Sequence, residues 1–78
     1  MVGVTERYDV AVRDNPIRLG QFLKLAGAVE HGSEVKELIA AGMVRVNGEV
    51  EIRRGRQLVP GDEVSLAQTT YTVRVTDH

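Results

Sequence analysis

Gly42-Met43-Val44-Arg45-Val46-Asn47-Gly48 is the stretch that decides how this chain folds. Val44 and Val46 alternate with Met43, Arg45 and Asn47, and a period of two marks a strand with one buried face. Asn47-Gly48 closes it as a hairpin turn, because both residues tolerate positive φ. Gly42 ends whatever precedes, as a left-handed helix terminus. Just upstream, Val35, Leu38 and Ile39 share one face of a helix. Ser33 is placed to cap it, with Glu34 and Glu37 favourable near its N-terminus. Further back, Leu19, Phe22, Leu23 and Ala26 fall at i, i+3, i+4 and i+7, a second amphipathic helix. Asp14 or Asn15 is expected to cap it, Pro16 suits its first position, and Gly27 suits its end. Arg18, Gln21 and Lys24 step along a different side at intervals of three. At 1.5 Å per residue this helix is only ~16 Å long, so packing must hold it. Residues 17–48 thus predict a helix–helix–strand unit that presents a surface.

Downstream, the hairpin register is open to two readings. A two-residue loop pairs Val46 with Glu49 and Val44 with Glu51. One extra loop residue puts Val44, Val46, Val50 and Ile52 on a common face, and burial of one face favours that bulged register. Arg45 then points away from the core, and it also suits a cross-strand pair with Glu51. Arg53-Arg54-Gly55-Arg56-Gln57 reads as a basic loop. Val59-Pro60-Gly61-Asp62 fits a type II turn, and Glu63 to Leu66 a short strand. At the ends, Tyr8, Val10 and Val12 alternate, as do Tyr71, Val73 and Val75. These predict strands near 7–13 and 71–75 on one face of one sheet, as neighbours. Residues 1–6 and 76–78 read as loose ends.

Seventy-eight residues predict one domain, 1–78, with a small core. Hydrophobic residues make up 42% and charged residues 27%, which is ordinary globular composition. There is no cysteine, and His31 and His78 are the only histidines, too few for a transition-metal site. No cofactor is expected. The first six residues lack the pattern of a signal peptide, and no apolar run approaches a membrane span, so a soluble cytoplasmic protein is the expectation. No nucleophile–base set, paired carboxylates or phosphate-cradling glycine loop is apparent, which argues against an enzyme. Net charge is −1, yet residues 43–61 hold four arginines (Arg45, Arg53, Arg54, Arg56) against two acids, Glu49 and Glu51. The local field matters more than the sum for a docking surface.

Three pieces together, Arg18-Leu19-x-x-x-Leu23, Leu38-Ile39-x-x-Gly42-x-Val44-x-Val46-Asn47-Gly48 and Gly61-Asp62, resemble the S4 RNA-binding domain. Asn47-Gly48-Glu49-Val50-Glu51 followed by Arg53-Arg54-Gly55-Arg56 looks closest to the small stand-alone bacterial S4 proteins of the YbcJ type. The match spans about 17–66, and the Gly42-to-Gly48 piece is its specific part. The resemblance implies an α+β, αL-like fold, two short helices packed on a small, mostly antiparallel sheet. It implies a non-catalytic module that grips RNA with the helices and the strand after them. By position, Arg18 matches the basic residue opening the first helix, Lys36 the basic place in the second, and Asn47 and Gly48 the exposed turn. Two positions depart from the family pattern. Gly20 stands where Asp is usual, and His31-Gly32 where many members have a phosphate-contacting Ser-Arg.

Arg18, Lys24, Lys36, Arg45, Asn47, Gly48, Arg53, Arg54 and Arg56 are therefore the candidate RNA-binding residues, with the arginine loop expected to compensate for the missing arginine. Arg53, Arg54 and Arg56 also fit a plain solvated loop, as arginines usually sit at the surface. Only three aromatics exist, so base stacking is poorly supplied. Structured RNA held by phosphate and shape is the expected partner, with ribosomal RNA, tRNA or a ribosomal particle within that class. The alternative is a protein-interaction module that kept the fold with little RNA affinity.

Overall fold

The computed structural model describes residues 6–76. Of the expected loose ends 1–6 and 76–78, residues 1–5 and 77–78 lie outside the described residues, whereas Glu6 pairs with Thr69 in the sheet and Thr76 N–H donates to the Val12 carbonyl at 2.8 Å. In chain order the elements are β1 (Glu6–Val12), β2 (Ile17–Arg18), α1 (Leu19–Leu25), α2 (Gly32–Ala40), β3 (Val44–Val46), β4 (Glu49–Val50), β5 (Gln57–Leu58), β6 (Glu63–Leu66) and β7 (Thr69–Val75). Five strands form one sheet in the order β1-β7-β6-β3-β4, and β2 and β5 form a separate ribbon. All pairings are antiparallel except β1 with β7. That parallel pair aligns Tyr8 with Tyr71, Val10 with Val73 and Val12 with Val75, the two repeats of the alternating pattern side by side.

The sheet and both helices share one buried cluster. Phe22, Leu19 and Leu23 of α1 and Val35 and Ile39 of α2 meet Val44, Val46, Val64 and Val73 of the sheet. Leu58 of the ribbon is wholly buried beside them. Both helices end in the same way. Gly27 and Gly42 are left-handed, at φ 75° and 77°. The N–H groups of Ala28 and Met43 reach back to the carbonyls of Leu23 and Leu38 at 3.1 Å. This Schellman arrangement satisfies carbonyls that a helix end would otherwise orphan. At its start, α2 uses Glu34 rather than Ser33. The Glu34 carboxylate accepts the N–H groups of Glu30 and His31 at 3.3 and 3.2 Å.

Three further expectations change. The first helix begins at Leu19, not at Pro16, because Ile17 and Arg18 pair with Leu58 and Gln57 in the ribbon. Its cap is the chain itself: Leu19 N–H donates to the Arg56 carbonyl at 2.8 Å and Gly20 N–H to the Arg54 carbonyl at 3.0 Å. The β3–β4 hairpin takes the two-residue loop, with Val46 opposite Glu49 and Arg45 opposite Val50. Turn geometry decides this, since Asn47 and Gly48 both adopt the left-handed φ a two-residue loop requires, 53° and 87°. The consequence is that Glu51 is buried at 6% exposure while Val50 and Ile52 stand out at 49% and 66%. Finally, the last strand starts at Thr69, because Ala67 at φ 58° closes a second tight turn.

Candidate nucleic-acid interface

An open groove of about 420 Å³ runs between the helices and the loop after β4. Arg18, Gly20, Gln21 and Lys24 form one wall, Gly32 and Val35 of α2 another, and Arg54 and Gly55 close it. Gln21 and Lys24 are neighbours in the first wall because they lie three apart on α1, and Arg18 joins them from the extended end of β2 just before the helix. Gly20 lets the third part approach. A methyl group at that position would sit 2.7 Å from Arg54 Cγ, so the Arg54 stem lies where a side chain would otherwise be. Among the described residues, Arg18, Lys24 and Arg54 form no salt bridge, which leaves three cations unpaired around one concavity.

The other two loop arginines are engaged elsewhere. The Glu51 carboxylate accepts Arg53 Nε and Nη2 at 3.0 and 3.1 Å, Arg53 backbone N–H at 3.0 Å and Arg56 Nη1 at 2.9 Å. The Arg53 guanidinium first, and Arg56 next, hold its carboxyl down to about 2 from an ordinary 4.5. Such charge-assisted, forked bonds are what a carboxylate needs when it is shielded from water. The Arg53 side chain remains 73% exposed and Arg56 30%.

The remaining candidates are dispersed. Asn47 Nδ2 donates to Asp62 Oδ1 at 3.1 Å, and its Oδ1 accepts Glu63 N–H at 3.0 Å. Arg45 Nη1 donates to the Gly48 carbonyl at 3.2 Å. Asn47, Gly48 and Arg45 are therefore parts of the hairpin's own bracing, away from the groove lining. Arg45 does not reach Glu51. Lys36 is exposed on α2 and does not line the groove. The structure thus brings together Arg18, Lys24 and Arg54 of the nine candidates. Gly20, Gln21, Gly32, Val35 and Gly55 are lining residues the charge pattern did not single out. Gln21 had a signal, its place in the three-residue step; the glycines had none without the loop's position.

Two helices held on a mostly antiparallel sheet, with a cationic groove between helices and loop, define an α+β module with one concave, positively charged face. Among the described residues no group of three or more His, Asp or Glu could hold a metal ion, and no helix is long and apolar enough to cross a membrane. Residues 10–74 match the model of the S4 domain, and the chain belongs to that family. It is 40% identical over 57 residues to RlbA of Bacillus subtilis, named a probable ribosome maturation protein, across 73% of this chain and 80% of RlbA. It is 43% identical over 51 residues to YbcJ of Escherichia coli, across 65% of this chain and 73% of YbcJ. The solution structure of that YbcJ, described as revealing an αL motif involved in RNA binding, superimposes with a TM-score of 0.63 at 31% identity. That superposition covers 95% of this chain and 92% of YbcJ.

Proposed function

We propose that this chain is a non-catalytic RNA-binding module that holds folded RNA through its phosphates and shape. The observation that carries this is the convergence of Arg18, Lys24 and Arg54, unpaired among the described residues, on one groove. Membership of the S4 family and the motif described for YbcJ support it. The name of RlbA favours a ribosomal RNA or an assembling ribosomal particle as the source of that RNA. Cations that meet phosphates release condensed counterions, so affinity falls as salt rises. Among the described residues, none that lines the groove is an aromatic able to stack an unpaired base, which favours shape over sequence as the recognised feature.

The test is titration of nuclease-treated protein with a folded ribosomal RNA fragment at rising salt. Binding at low salt is expected, with log affinity falling against log salt at a slope of roughly two to three for three phosphate contacts. A second reading rests on a different surface. Met43, Val50 and Ile52 are 53%, 49% and 66% exposed near the β4 edge of the sheet, which favours a protein partner. Absence of RNA binding at low salt, with a partner that survives nuclease treatment, selects that reading instead.

A further inference from the structure

We infer that Glu51 is a positioning residue for the groove, an acid whose work is to aim a base. This rests on the RNA reading above. Glu51 emerges from the hairpin on the side of Val44, whose carbonyl accepts its N–H at 3.0 Å, and its side chain is only 7% exposed. Its two oxygens collect donors from both sides of Arg54: the Arg53 N–H and guanidinium before it, the Arg56 guanidinium after it. The loop is tied at both ends to one carboxylate. Its middle is pressed on α1, where the Arg54 carbonyl receives Gly20 N–H and the Arg56 carbonyl receives Leu19 N–H. The Arg54 stem lies on Gly20, and Arg54 and Gly55 complete the groove wall. Arg54 itself has no salt bridge to hold it among the described residues. Its place follows from the loop, and the loop's place follows from Glu51.

A negative charge beside a phosphate site opposes binding by Coulomb's law, and its removal also frees two guanidinium groups. Electrostatics alone therefore predicts that Glu51→Gln tightens RNA binding. Positioning predicts the opposite sign. Glu51→Asp separates the two further, because it keeps the charge and withdraws the carboxylate by one methylene.

The experiment measures both variants against a folded ribosomal RNA fragment, together with amide hydrogen exchange at Leu19 and Gly20 in the RNA-free protein. Both variants are expected to weaken binding about tenfold, the size of one lost phosphate contact near 0.1 M salt. Exchange at those two amides should quicken. Glu51→Gln combined with Arg54→Ala should bind no worse than Arg54→Ala alone, the non-additivity of residues acting through one another. Equal or tighter binding by Glu51→Gln overturns the inference, as does full additivity with Arg54→Ala. If the unmodified protein binds no RNA, the RNA reading fails separately. Exchange then decides the rest: quickening confined to Leu19 and Gly20 upholds Glu51 as the loop's anchor, and unchanged exchange removes it.

Discussion

Arg54 and its neighbours Arg53 and Arg56 lie within four residues of one another, yet they occupy two electrostatic settings. Arg54 faces the groove with Arg18 and Lys24. Arg53 and Arg56 close on Glu51. The first region carries positive charge with no internal partner among the described residues; the second is close to an internal salt. A run of arginines in a sequence therefore overstates the charge offered to a ligand, because an acid two residues upstream can claim most of it. The hairpin register decides which acid. Since Asn47-Gly48 closes in two residues, Glu51 turns inward and Val50 outward.

The sharpest way to break this comparison is to strip each region in turn. Replacing Arg18, Lys24 and Arg54 together by Ala should lower RNA affinity by about two orders of magnitude near 0.1 M salt and reduce the salt slope by roughly two to three. Unfolding by urea should scarcely change, since those side chains form no salt bridge among the described residues. Replacing Arg53 and Arg56 by Ala removes the guanidinium partners of the Glu51 carboxylate while opening it to water, and stability should fall by about 2 kcal/mol, the worth of hydrogen bonds to a charged group. A stability loss from the first set, with none from the second, would reverse the assignment of the two regions.

Acid offers an independent probe of the second region. Glu51 has its carboxyl lowered to about 2 from 4.5, so the unfolded chain binds its proton first as pH drops. Its stabilisation is complete above about pH 5 and is lost as pH falls toward 2, worth about 2 kcal/mol for hydrogen bonds to a charged group, with Arg53 largely in water. Urea midpoints measured across that window should fall for the unmodified protein. Glu51→Gln should be less stable at neutral pH and flatter in acid; an identical acid slope would show that other carboxylates carry it.

Much of the scaffold was legible, for reasons that are local. The Leu19, Phe22, Leu23 and Val35, Ile39 faces, the Gly27 and Gly42 stops and the Val59–Asp62 turn all follow from periodicity or from one residue's backbone preference. Part of what was not legible depends on contacts distant in sequence. The expected cap at Asp14 or Asn15 was displaced because carbonyls of residues 54 and 56 reach Leu19 and Gly20. The expected burial of Val50 and Ile52 failed for a local reason: Asn47-Gly48 closed in two residues, and Arg53 and Arg56, close by in sequence, made burying the Glu51 carboxylate tolerable. Long reach also explains why Arg18, Lys24 and Arg54 could be nominated as RNA-binding residues while Gly20, on which the Arg54 stem lies, could not.

Asn47 sharpens the contrast from outside both regions. Its side chain bridges Asp62 and Glu63, and its φ is 53°. Asn47→Ala should cost about 1–2 kcal/mol in urea unfolding, from two lost hydrogen bonds and a left-handed residue with a Cβ less suited to it. RNA affinity of the folded fraction should hold. A loss of affinity without a loss of stability would return Asn47 from a brace to a contact.

Gly20→Ala is expected to have the smallest effect on stability and to separate affinity from stability. Ala is favoured over Gly inside a helix by roughly 0.5–1 kcal/mol, and this is set against the cost of turning the Arg54 stem, so the variant should be about as stable as the original. The new methyl would stand 2.7 Å from Arg54 Cγ, closer than carbon atoms allow, and the flexible Arg54 side chain must swing aside. The Arg54 carbonyl, 3.6 Å from that methyl, can stay where it is. The cap on α1 therefore survives while the groove loses the arginine's present direction. RNA affinity should drop by a few-fold, up to about tenfold for one contact, with urea stability held. Affinity and stability that rise together would mean Arg54 binds equally well from elsewhere, and the groove would then be the two cations Arg18 and Lys24 rather than three residues aimed at one place.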